Sequence, residues 1–461
     1  MSRRTDMDMT VGNPLSIILK FTWPLFLGNI IQQLYNIVDT VIVGRFVGDK
    51  ALAAVGSTGT LMFLFIGVAN GMVTGFSVLT SQRYGAKDED GVKKTFTNGI
   101  YLSLILSILQ TLFSILFLRY LLTWMNTPDS IYDYAYAYIS TITMGVTATV
   151  FNNYFASLLR AIGNSKMPLF FLMMSAGINV VLDLVFIIFF GMETFGAAVA
   201  TVISQACSAV AGVIYILVKV PVLRPSRKHW KLHRATAGKQ FLLGLPMALA
   251  NGITASGTVI MQSAINLFGD VAVTAITAAN KFSSIINMGM FSVGQTMPAY
   301  VGQNTGARNM DRIREGIKAA MKIFSIYSAA AAVIVITLTP TVMRIFFPAG
   351  TDISVFIPYA MIYIIESAVC YIALSMIFIY RSSMQGAGFA FVAMSLGIAE
   401  FIARLVCSTL SKIFHNYYLA VGCDPIAWIV AGFLGMILAN IVFKKLRRSW
   451  ETEASKDTSS M

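Results

Sequence analysis

The sequence predicts an all-α, polytopic membrane protein with twelve transmembrane helices in two pseudo-symmetric six-helix bundles, and three observations carry that reading. The 461 residues are 56% hydrophobic and only 12% charged, against a charged share of about a quarter in soluble domains. Apolar stretches near the bilayer-crossing length of about 20 residues recur along the whole chain. A ten-residue signature also occurs twice at a fixed offset. Strand-type spans would read as short alternating segments, and an open sheet facing lipid leaves its backbone polar groups without partners.

The spans fall between charge and turn residues. In the first half they are read at 15–44, 52–81, 95–122, 131–159, 168–190 and 194–218. The first is too long for a cleavable signal peptide and contains Pro24, Gln32, Gln33, Asn36 and Asp39. A linker follows at 219–239 with Pro221, Pro225 and seven cations. The second half repeats the plan at 240–265, 272–301, 316–346, 354–380, 389–411 and 425–443. The domains are therefore 1–218, an N-terminal lobe, and 240–461, a C-terminal lobe with its tail.

The net charge of +13 reads as a topology signal, not as affinity for nucleic acid. Of the 34 Lys and Arg residues, 27 fall on the side shared by both termini, Arg3 and Arg4 among them. Five fall on the other side, and Lys281 and Arg404 lie within spans. The positive-inside rule makes the shared side cytoplasmic, in a cell membrane. His229-Lys-Trp-Lys-Leu-His233 in the linker reads as a basic interfacial helix anchored by Trp230. The four cysteines lack C-x-x-C spacing, and neither a disulfide framework nor a metal site is expected.

Ser81-Gln-Arg-Tyr-Gly-Ala-Lys-Asp-Glu-Asp90 returns as Gly302-Gln-Asn-Thr-Gly-Ala-Arg-Asn-Met-Asp311, an offset of 221. Pro24 matches Pro246, and Arg160-Ala-Ile-Gly163 resembles Gln385-Gly-Ala-Gly388. Six spans per half set both halves the same way up, which is transporter architecture with a cavity between lobes. Enzyme signatures such as H-E-x-x-H, G-x-S-x-G or a P-loop are not found, and the protein is not expected to be an enzyme. Glycines such as those of Gly67-Val-Ala-Asn-Gly71-Met-Val-Thr-Gly75 read as close helix packing.

An ionised group deep in a bilayer costs about 2.5–3.5 kcal/mol on insertion scales, so each demands a partner or a task. Asp39 lies in the first span, above Pro24, where a missing backbone hydrogen bond lets the helix bend. Asn179 and Asp183, four apart, share a helix face in the fifth span, and Thr201 in the sixth offers a hydroxyl. Packed together, these form a coupling site in which two carboxylates share a proton or a cation. The counterparts of Asp39 and Asp183 in the second half are Met261 and Arg404, so coupling chemistry belongs to the first lobe. Glu400 and Arg404, four apart, read as a structural ion pair. Lys281 and Glu366 either pair across the second lobe or leave Lys281 lining the cavity. Tyr35, Asn153 and Phe151 join them as candidates for a substrate cavity. Trp124, Tyr132, Tyr134, Tyr136 and Tyr138 read as an interfacial aromatic belt.

Trp23-Pro24 through Gln32-Gln33, Asp39 and Gly44, the two Gln-x-x-Gly-Ala-[Lys/Arg] elements, Arg160-Ala-Ile-Gly163 with Pro168, and Asn179-x-x-x-Asp183 resemble the multidrug and toxic compound extrusion (MATE) family over about residues 13–445. The resemblance implies two six-helix bundles around a V-shaped cleft, exporting amphipathic or cationic organic compounds in exchange for Na⁺ or H⁺. It places a cation site on Asp39, Asn179, Asp183 and Thr201, with the helix bend at Pro24. The seventh span has no Asp or Glu, so the resemblance is closer to the DinF-like or other bacterial multidrug branch than to NorM. Small organic substrates and membrane lipids are the expected partners of a monomer that uses no cofactor beyond the transported H⁺ or Na⁺. A flippase for a lipid-linked precursor, of related fold, is the competing reading.

Overall fold

The computed structural model describes residues 6–347 and 351–459, so Arg3 and Arg4 lie outside the described residues. The first half runs through α1 (Pro14–Phe46), α2 (Asp49–Gly85), α3 (Glu89–Trp124), α4 (Asp129–Met144), α5 (Val146–Ala161), α6 (Lys166–Leu184) and α7 (Glu193–Lys219). The second runs through α8 (Arg234–Ile265), α9 (Gly269–Gly306), α10 (Met310–Phe346), α11 (Ile357–Val369), α12 (Tyr371–Gly386), α13 (Ala390–Phe414), α14 (Tyr417–Val421) and α15 (Cys423–Ser459).

Nine of the described helical stretches are long and apolar enough to cross a membrane, or ten with α11 and α12, which meet at a 48° bend. One stretch, Arg234–Gly306, holds both α8 and α9, parted at Gly269, whose φ of 83° suits a residue without a side chain. The 16-residue helices α4 and α5 are each below spanning length and meet at Gly145 inside the fourth expected span. Separating α8 from α9 and adding α4 with α5 provides a helix or bent helix for each of the twelve spans. The protein is an all-α, multi-pass membrane protein. The α3 residues Ile105, Ile108, Leu109, Ile115 and Leu116 are all more than half exposed, as side chains in contact with hydrocarbon are.

Packing divides the chain into two compact units: Met1–Asp8 with Trp23–Ala248, and Met9–Thr22 with Leu249–Met461. The division cuts α1 beside Pro24 and α8 beside Pro246. Both helices run unbroken through their prolines, each of which leaves a carbonyl one turn earlier without its donor.

In unit 1, Phe76, Phe96, Tyr154 and Leu158 belong to a buried core shared by α2, α3 and α5. The start of α8 packs on α2 backbone to backbone: a Cβ on Gly75 would sit 2.3 Å from the Gly244 Cα. In unit 2, the first turns of α1 are held to α9 by the Thr22 and Thr296 hydroxyls, 2.8 Å apart.

The repeated signature forms the same turn in both units. Lys87 and Arg308 take φ of 58° and 53°. The Asp88 carboxylate accepts from the Gly91 N–H at 2.8 Å to cap α3, and the Asn309 amide oxygen accepts from the Arg312 N–H at 3.1 Å to cap α10. The linker departs from expectation. Instead of an interfacial helix it forms two 3₁₀ turns, Pro221–Leu223 and Arg227–Trp230, because its polar groups find partners on α3. The buried His229 ring lies between Ser226 and Asp90, its carbonyl accepts from the Thr97 hydroxyl at 2.7 Å, and Trp230 meets Tyr101 edge to face.

Candidate functional site

The acidic residues of the first half converge in unit 1. On α6, Asn179 and Asp183 are both wholly buried and share one face, as their spacing of four requires. Directly after Asp183 and Leu184 the helix widens into a π turn, Val185–Phe189, an irregularity of the kind that gathers at functional sites. From α7, Thr201 receives the Asn179 amide N–H at 3.3 Å and donates to the Ala197 carbonyl at 3.0 Å. From α1, the Tyr35 hydroxyl stands 3.5 Å from the Thr201 hydroxyl, and Asp39, one turn on, is buried close enough to Asp183 for the two carboxylates to interact.

No Lys or Arg pairs with either carboxylate among the described residues. Four buried acceptor atoms there meet no donor: Asp39 Oδ1, both Asp183 oxygens and Asn179 Oδ1. Burying such oxygens without donors is expensive, so the arrangement suits a positive ligand. Carboxylate and amide oxygens fit a hard cation such as Na⁺, and a proton shared by Asp39 and Asp183 answers the same demand.

Tyr138, which the sequence reading assigned to an interfacial belt, is buried near the acids. It is 6% exposed, packs with Ile42, Val43 and Ile187, and lies in the electrostatic field of Asp39, Tyr35 and Asp183. Helical spacing carried the signal: Tyr138 falls on the buried face of α4 with Ile131, Ala135 and Ile142, while Tyr132 and Tyr136 stack on another face.

The remaining candidates lie apart. The Phe151 ring packs on Phe155 at the edge of the α2–α3–α5 core. Asn153 is half-buried, and no hydrogen bond, ion pair or ring contact joins it or Phe151 to the acids among the described residues. In unit 2, Lys281 and Glu366 do not pair: Lys281 is exposed on α9, and the Glu366 Oε2 lies beside Gly422.

Glu400 and Arg404 pair at 3.5 Å as expected, inside a larger network. Arg404 also donates to Asp424 on α15 at 2.7 Å, and Arg381 on α12 approaches Glu400 at 3.5 Å. Two cations and two carboxylates thus balance in unit 2.

The described residues thus form a multi-pass helical membrane protein with a buried acid cluster in unit 1 that no Lys or Arg neutralises. The chain belongs to the MatE family, whose model matches residues 24–185 and again 246–410, once in each half. It is 28% identical to the probable multidrug resistance protein YpnP of Bacillus subtilis (strain 168) over 308 residues, 66% of this chain and 68% of that protein. It is 26% identical over 337 residues to the probable multidrug resistance protein YoeA of the same strain, covering 71% of this chain and 72% of that protein. A solved MOP superfamily transporter from Pyrococcus furiosus Vc1 shares the fold with a TM-score of 0.88 at 22% identity, over 97% of this chain and 99% of that one.

Proposed function

We propose that the protein is a secondary antiporter that exports amphipathic or cationic organic compounds in exchange for H⁺ or Na⁺ by alternating access, and that it performs no enzymatic reaction. The observation that carries the reading is the pair Asp39 and Asp183, buried together without a cation beside the Asn179 amide and the Thr201 and Tyr35 hydroxyls. A proton or metal cation entering this cluster changes its charge by one unit, and the change falls on α1, which contains Pro24. Both termini face the cytoplasm in this reading, the working unit is a monomer, and the chain sits with the DinF-like or other bacterial multidrug branch. The lack of any acid in 240–265 supports that placement.

The test is efflux of a fluorescent organic cation from proteoliposomes with a pH gradient or a Na⁺ gradient imposed separately. Transport driven by one gradient and lost in Asp39→Asn and Asp183→Asn is the expected result. Unchanged, gradient-driven transport by both variants would sink the proposal.

A further inference from the structure

We propose that unit 1 carries a binding site for a phosphate group where the linker meets the first turn of α8. A cavity of ≈ 430 Å³ lies there, lined in part by Arg83, Asp88, Gly91, Lys94, His233 and Arg234, at the end of the unit that holds the linker. None of these residues belongs to the acid cluster.

Its charge is positive. Arg83 pairs with Asp88 at 2.9 Å, and Lys94 with Asp90 at 2.6 Å. Asp90 is shared further with Lys228 at 2.8 Å and His229 at 2.9 Å, so Lys94 is only one of three donors around one carboxylate. Arg234 has no ion pair among the described residues. Arg83, Lys94, Lys228 and Arg234 against Asp88 and Asp90, four less two, leave a surplus of +2 before either histidine is counted. The Asp88 carboxylate lines the cavity but is committed to the Gly91 N–H and to Arg83.

Donors without acceptors face the same space. The first intrahelical bond of α8 runs from the Ala237 N–H to the His233 carbonyl, so the N–H groups of Arg234, Ala235 and Thr236, all at the cavity wall, precede it. The His233 N–H donates to the Asn98 amide oxygen at 3.0 Å, which fixes the start of α8 at the cavity wall. A helix N-terminus, two guanidinium groups and an ammonium together present donors from several sides, which suits a tetrahedral oxyanion better than a planar carboxylate. The phosphate belongs either to an anionic lipid headgroup or to a free anion.

The experiment uses the full chain, purified in detergent, with phosphatidylglycerol and inorganic phosphate as probes. Native mass spectrometry reads retained lipid, and calorimetric titration reads phosphate binding. The double variant Lys94→Gln/Arg234→Gln should weaken capture of the bound probe by about tenfold. Lys231→Gln, a linker cation outside the cavity, should leave capture unchanged, with matching melting temperatures verifying that all three proteins are folded. Retention of lipid that millimolar phosphate does not displace identifies a headgroup site; calorimetric binding of phosphate with lipid displaced identifies a free-anion site. Equal capture by the wild type and the double variant overturns the proposal, and so does failure of the wild type to bind either probe.

Discussion

Among the described residues no Lys or Arg pairs with Asp39 or Asp183 in unit 1, whereas at the position in unit 2 that matches Asp183 stands Arg404, bound to Glu400 and Asp424. Both regions hold two carboxylates, and Asp183 and Glu400 stand on α6 and α13, helices that the internal repeat relates. In unit 2 the charges balance within the chain, so no outside ion is required. In unit 1 the oxygens lack donors, so the stable state depends on what arrives. The difference leaves one half with unsatisfied carboxylate oxygens and the other with a closed charge network.

The largest expected effect is on transport. Asp183→Asn and Asp39→Asn should each lower gradient-driven efflux by at least about tenfold while leaving the melting temperature unchanged or raised, because each removes a buried charge that the fold does not compensate. A fall in melting temperature alongside retained efflux would reverse the assignment of roles. Next comes the stability of unit 2. Arg404→Gln leaves Asp424 unpaired and Glu400 with Arg381 alone, and should cost about 3–5 kcal/mol, measured by denaturation in detergent. Adding Glu400→Gln and Asp424→Asn should recover most of that loss.

Gly257→Ala sharpens the same contrast, since its Cβ would lie 2.9 Å from the Arg404 Nη1. The guanidinium must shift, at about 1–3 kcal/mol, and the effect should vanish in an Arg404→Gln background. Thr201→Val removes the acceptor of the Asn179 N–H at 3.3 Å and should weaken cation response by about 0.5–1.5 kcal/mol, read from the gradient needed for half-maximal efflux. The smallest effect concerns the linker. Lys228, Lys94 and His229 hold the Asp90 carboxylate well below the usual carboxylate range. A lowered folded value means that its docking contribution is complete above the unfolded value of about 4 and fades only as pH falls through the lower folded one. Amides of 226–233 should therefore remain protected from hydrogen exchange at mildly acidic pH, and Asp90→Asn should expose them.

Much of the unit 1 site was legible because it depends on local rules. Asn179 and Asp183 share a face by helical spacing, and a buried acid in a hydrophobic span asks for a partner. Tyr138 was hidden by its neighbours, since a run of tyrosines suggests an interface until the period of the buried face is read. The linker was misread because its structure comes from Asp90, Thr97 and Tyr101 on α3, more than 120 residues earlier. Arg381 and Asp424 escaped the ion-pair reading for the same reason: they reach Glu400 and Arg404 from other helices.

Composition, span length and the repeated signature by themselves determined an all-α membrane protein of two related halves, because lipid leaves the backbone few options and a repeated turn needs repeated residues. The tertiary structure alone decided which buried charges are neutralised, which tyrosine of α4 is buried, and that α1 and α8 divide beside their prolines. Those outcomes depend on side chains meeting across helices, where sequence spacing carries no information about distance.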